Sequence, residues 1–172
     1  MHFSSLISRD SIYRFLQECI KQKDLRSGNH AYSLMIRSGF AYISIFSNLL
    51  IRSSAICGKL QGSNHVFHKI QNPSIHTWTI FISFVFVSML SILERNFVFA
   101  HSLDVNGSVK SLQLYLKMKE NGILPNRYVF LSIIKLCASS MNLEYGRFIH
   151  KEVRKTGFLQ DLLVANTLID MY

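Results

Sequence analysis

The sequence predicts an all-α solenoid of stacked helix-turn-helix units, and three observations carry that prediction. The end of the chain repeats its beginning at one fixed spacing, apolar residues recur at helical spacing, and glycine and proline close the runs. With 49% hydrophobic and 17% charged positions over 172 residues, there is enough apolar surface to cover such units. Placing Gly28 on Gly146 sets an offset of 118, which also matches Cys19 with Cys137, Leu25 with Leu143, Gly39 with Gly157, Phe40 with Phe158 and Asn48 with Asn166. Leu16 with Ile134, Arg37 with Lys155, Ser38 with Thr156 and Ile51 with Ile169 are conservative matches in the same register. Self-similarity of this kind points to stacked supersecondary units rather than one globular core.

Taken in order, the opening "MHFSSLISRDSIYRF" carries serine, phenylalanine and two arginines but an early Asp10. It lacks the build of a secretory signal and has a faint likeness to an organelle transit peptide. "LRSGNHAYSLMIRSGF", residues 25 to 40, is the second helix of the first copy. From Ile75 to Leu93 nineteen residues hold no Asp, Glu, Lys or Arg, a length that fits a membrane span as well as a buried helix. In "SLQLYLKMKENGILPN", Leu112, Leu114, Tyr115, Leu116 and Met118 form a broad apolar face, Gly122 ends it and Pro125 prevents continuation. "YVFLSIIKLCA", 128 to 138, keeps an apolar stripe, and "SSMN" supplies turn and cap chemistry. Leu143, Phe148, Ile149 and Val153 then recur at helical spacing before Gly157 stops the helix.

The side-chain inventory offers little chemistry. Cys19, Cys57 and Cys137 are odd in number and form no C-x-x-C, so neither a disulfide framework nor a zinc knuckle is expected. His65 and His68 lie three apart without a further ligand nearby, and "GKLQG" at 58 to 62 is no phosphate loop. His150-Lys151-Glu152 matches half of a zinc-deaminase signature whose cysteine half is absent. Asn106-Gly107-Ser108 is a glycosylation sequon, relevant only to a secreted chain. The expectation is a protein with no catalytic residues, metal, cofactor or small-molecule substrate. A net charge of +9, spread from Arg9 to Lys155, suits a surface that follows a polyanion.

The phrases "NPSIHTWTIFIS", "SLQLYLKMKENGILPNRYVFLSIIKLCA", "NLEYGRFIHKEVRKTGF" and "DLLVANTLIDMY" resemble pentatricopeptide repeat proteins of the plant type, in which long, short and standard repeats alternate. The resemblance implies a right-handed superhelical solenoid, with an N-terminal segment at 1–8, a long-type repeat at 9–43 and a short-type repeat at 44–74. A standard repeat at 75–126, a long-type repeat at 127–161 and a truncated repeat at 162–172 follow, so the likeness is to part of a member. At 52 residues the standard repeat is about 17 longer than the resemblance implies, and the surplus is expected near 84–101, as a longer first helix or an added one.

The resemblance further implies that first helices line a groove for single-stranded RNA, one base per unit, read by two or three side chains. It assigns reading pairs to Asn48 with Ser74 and to Thr79 with Asn126, the first pyrimidine-preferring and the second adenine-preferring; Asn166 begins a further pair, and Leu131 offers no hydrogen bond. Ser74 and Asn126 equally suit capping. Lys110, Lys117, Lys135, Arg147 and Lys151 head the candidates for phosphate contact. Implied too are an organellar role in RNA processing or editing, mitochondrial or alternatively plastid, and editing or processing factors supplied in trans. The rival readings are a tetratricopeptide-type protein scaffold, whose groove carries aromatic and charged anchors, and a single-pass membrane protein built on 75–93.

Overall fold

The computed structural model describes residues 8–40, 43–56, 60–95 and 100–172, with their side chains except at 25, 29, 36, 44, 54–56, 60–62, 88–95 and 100–108. Among the described residues there are nine α-helices and no strand: α1 (Arg9–Gln22), α2 (Leu25–Arg37), α3 (Ser44–Ile56), α4 (Leu60–Lys69), α5 (Ile75–Arg95), α6 (Ala100–Glu120), α7 (Arg127–Ser139), α8 (Leu143–Lys155) and α9 (Leu162–Met171). The chain divides into two compact units, Met1–Ile80 and Phe81–Tyr172.

In the first unit α1 packs on α2 and α3, and α3 packs on α4. The apolar stripe of each helix forms the core: Ile12, Leu16 and Cys19 from α1, Ala31 and Met35 from α2, Phe46, Leu50 and Ile51 from α3, and Val66 and Phe67 from α4. Trp78, at the start of α5, lies edge-on to Phe67 with ring centroids 4.6 Å apart. In the second unit α7 packs on α6, α8 and α9. Phe130, Ile133, Ile134 and Cys137 of α7 meet Tyr115 and Met118 of α6, Ile149 and Val153 of α8, and Val164 and Leu168 of α9 in a buried core.

The internal repeat holds in three dimensions. Helices α7, α8 and α9 begin at residues 127, 143 and 162, each 118 beyond the first residue of α1, α2 and α3. Lys23 and Met141, the two non-glycine residues with positive φ among those described, stand at 55° and 48° in the same register. The next residue caps the following helix in both copies. Asp24 Oδ1 accepts from the Ser27 amide at 3.3 Å, and Asn142 Oδ1 accepts from the Tyr145 amide at 3.2 Å. Gly39 and Gly157 close the second helices at φ 72° and 80°, a backbone region in which a Cβ costs energy. Even the close approaches correspond: a Cβ on Gly28 would lie 3.0 Å from Ser53 Oγ, and one on Gly146 would lie 2.5 Å from Met171 Sδ.

Two sequence expectations need amendment. Leu116 is exposed and Leu112 only half-buried, so the core face of α6 narrows to Ser111, Leu114, Tyr115 and Met118. On α8, Leu143 and Phe148 are also exposed, and the buried stripe is Gly146, Ile149, Glu152 and Val153. The physical reason is the same in both: a helix against one layer buries only the i, i+3, i+4 positions turned toward it.

Helices α5 and α6 are each 21 residues long, against 13 in α7 and in α8, so lengthening of both helices takes up 16 residues beside the 84–101 surplus. Residues 96–99 and the side chains at 88–95 and 100–108 lie outside what is described, as do Cys57, most of "GKLQG" and the sequon side chains. Where described, α5 spends its apolar run on packing: Trp78, Phe81, Ile82, Phe84 and Val85 are buried. Among the described residues no helix is long and apolar enough to cross a membrane, and the side chains at 88–93 of the 75–93 stretch lie outside what is described.

Candidate functional site

The first helices present an outer stripe opposite their core faces. On α1 the stripe is Tyr13, Gln17 and Lys21, at i, i+4 and i+8, while Ile12, Leu16 and Cys19 turn inward. On α3 it is Ile45, Asn48 and Arg52. Between α1 and α3 lies a cleft of about 400 Å³ lined by Gln17, Glu18, Ile20, Lys21, Leu49 and Arg52. In the second unit the corresponding positions are Leu131 and Lys135 on α7 and Leu163, Asn166 and Asp170 on α9.

Asn48 and Asn166 hold the same place, one turn into α3 and α9. Asn166 is exposed; Asn48 is half-buried, and its Oδ1 is enclosed with no hydrogen-bond donor among the described residues. An enclosed, unanswered carbonyl is costly and uncommon. Ser74 is exposed and caps α5, its Oγ accepting from the Thr77 amide at 3.2 Å. Thr79 is half-buried and its hydroxyl donates to the Ile75 carbonyl one turn back at 2.7 Å. Asn126 caps α7, its Oδ1 accepting from the Val129 amide at 3.0 Å. Asn48 and Ser74 belong to the first unit with Thr79, and Asn126 and Asn166 to the second.

Among the cations singled out from sequence, Lys135 stands on a first helix and is exposed. Lys110 and Lys117 stand on α6, and Arg147 and Lys151 on α8; the last three are exposed and Lys110 is half-buried. The two halves of the His150-Lys151-Glu152 triplet part company. His150 Nδ1 meets the Tyr172 hydroxyl at 2.9 Å. Glu152 is buried and bonded to Lys119, to Lys155 at 3.0 Å and to the Tyr115 hydroxyl, which donates at 3.1 Å. The Lys119 ammonium first, then Lys155 and Tyr115, hold the Glu152 carboxyl down at about 2 against the desolvation that opposes them. Burial, reinforced by that negative neighbour, pushes the Tyr115 phenol well above its usual range. Burial alone lifts the Cys137 thiol to about 11.

Sequence reasoning missed both Tyr13 and Glu152. Tyr13 was readable through the offset, since Leu131 sits 118 residues on. Glu152 was readable as the member of the 146, 149, 153 stripe that is not apolar.

No family model matches the chain. The curated proteins do: one pentatricopeptide repeat-containing protein of Arabidopsis thaliana is 29% identical over the whole of this chain and 26% of its own length. A second is 28% identical over 85% of this chain and 21% of its own. A third, whose name adds "mitochondrial", is 27% identical over 90% of this chain and 18% of its own. These matches fall on a chain of recurrent helical hairpins.

The chain is similar to pentatricopeptide repeat proteins over most of its length.

It spans about a quarter or less of the length of these relatives. Asn48 and Asn166 stand at one fixed place on α3 and α9.

Proposed function

We propose that the chain binds single-stranded RNA along its first-helix stripes, performs no chemistry of its own, and serves transcript processing or editing in an organelle. The observation that carries the reading is the equivalence of Asn48 and Asn166: the same amide recurs at the same place on two first helices. A side-chain amide can both donate to and accept from a nucleobase edge. In this reading the repeats run 9–43, 44–74, 75–126 and 127–161, with a further one starting at 162. Asn48 with Ser74 favours a pyrimidine, and Thr79 with Asn126 favours adenine. Both partners of these pairs from the repeat ends also cap a helix, Ser74 through the Thr77 amide and Asn126 through the Val129 amide.

Lys135 takes a phosphate from the first-helix side, and Lys110, Lys117, Arg147 and Lys151 add attraction that is independent of sequence. The mitochondrion is the favoured organelle because two relatives carry it in their names, with the plastid as the alternative. Editing or processing enzymes act in trans.

The test is selection of randomised single-stranded RNA by the full chain across a salt series. Enrichment of motifs, retained near physiological salt and altered by Asn48→Ala, is expected. Loss of all binding by that salt, with nothing enriched, leaves only polyanion attraction and overturns the reading.

A further inference from the structure

We propose that Tyr13 is a stacking platform for one unpaired base, with the cleft between α1 and α3 taking the adjoining sugar-phosphate; the inference rests on the RNA reading above. Tyr13 is 38% exposed on the side of α1 away from Ile12, Leu16 and Cys19, so it is no part of the core. Its ring is held: Gln17 Nε2 donates to the Tyr13 hydroxyl at 2.8 Å. A ring fixed before contact has less side-chain freedom left to lose when a base settles on it.

The same Gln17 lines the cleft of about 400 Å³ together with Lys21 of α1 and Arg52 of α3, with Glu18 the acidic group among them. Glu18 is engaged by Gln22 Nε2 at 2.7 Å. Tyr13 and Lys21 are eight residues apart on one helix, about 12 Å at 1.5 Å per residue, the reach of roughly two backbone phosphates. An aromatic face and a bordering amide on α1, with cations in the adjoining cleft, form the combination that single strands use for sequence-tolerant binding. Position 131 provides an internal control, because Leu131 occupies the corresponding place on α7 without a ring.

The experiment measures affinity of the full chain for oligo(U), oligo(A) and oligo(C) of one length at one salt concentration. Tyr13→Ala is expected to weaken all three about tenfold, Tyr13→Phe to stay within about twofold, and Leu131→Tyr to tighten all three several-fold. Wild-type binding matched by Tyr13→Ala, with no gain from Leu131→Tyr, overturns the stacking role and leaves the RNA reading standing. Absence of wild-type binding to any of the three overturns both. If Tyr13→Ala loses its helical circular dichroism, the Tyr13→Phe and Leu131→Tyr arms decide: loss in the first with no gain in the second overturns the proposal.

Discussion

Glu152 shows what one buried charge does in a helical hairpin array. Its counterpart 118 residues earlier is Leu34, so of the two copies only the second carries the acid, placed where Lys119 and Tyr115 of α6 can reach it. Removing the carboxylate leaves the Tyr115 hydroxyl without its acceptor, and Glu152→Ala is expected to cost about 2 kcal/mol in urea denaturation. The pH dependence has a definite sign. The folded carboxyl sits at about 2, below its ordinary 4.5, so its contribution is complete above about 4.5 and fades as pH falls toward 2. Wild type should therefore lose stability relative to Glu152→Gln across that window, and urea midpoints of the two proteins at pH 7, 4 and 2.5 check it. A second residue-scale case is Met141, 87% exposed and held at φ 48°. Met141→Gly relieves a left-handed conformation and loses almost no packing. A gain of up to about 1 kcal/mol, or roughly 2–4 °C in thermal melting, is expected.

Between elements, the glycines of α2 and α8 mark where a second helix meets the next first helix. A helix-interior glycine costs up to about 1 kcal/mol relative to alanine, a cost offset when the neighbour leaves no room for a Cβ. At Gly28 the neighbour is Ser53, short and buried; at Gly146 it is the thioether of Met171, which can swing aside. Gly28→Val should thus lower stability by about 2 kcal/mol, whereas Gly146→Ala should fall within about 1 kcal/mol of wild type in the same denaturation assay. Helices were the most legible level of this chain, because their periodicity and caps are local. Lys23-Asp24 and Met141-Asn142 were harder to recognise as one turn, since the residues differ and only the φ signs and capping bonds agree. Two helices as long as α5 and α6 were not readable from sequence, because either helix alone can absorb apolar residues.

For the molecule as a whole, +9 of net charge predicts RNA affinity that falls with salt, with a slope of about 0.7 per phosphate neutralised on a single strand. In the proposed mode Lys135→Gln should flatten that slope by about 0.7, measured by fluorescence anisotropy over a salt series. Of the candidate surface, Asn48 and Asn166 were legible because their register follows from matching sequence alone. The cleft beside Tyr13 was not, because it exists only where α1 lies against α3, and nothing along one helix records its neighbour.

Order along the chain dictated the helices, their stops and the offset of 118, all of which arise from interactions within a few residues or from plain repetition. Packing alone decided that Glu152 would be buried among cations, that Leu116 and Phe148 would face outward, and that Gln17, Lys21 and Arg52 would share a cleft. The reason is geometric: a helix fixes which residues share a face, and only its neighbours determine which face is covered.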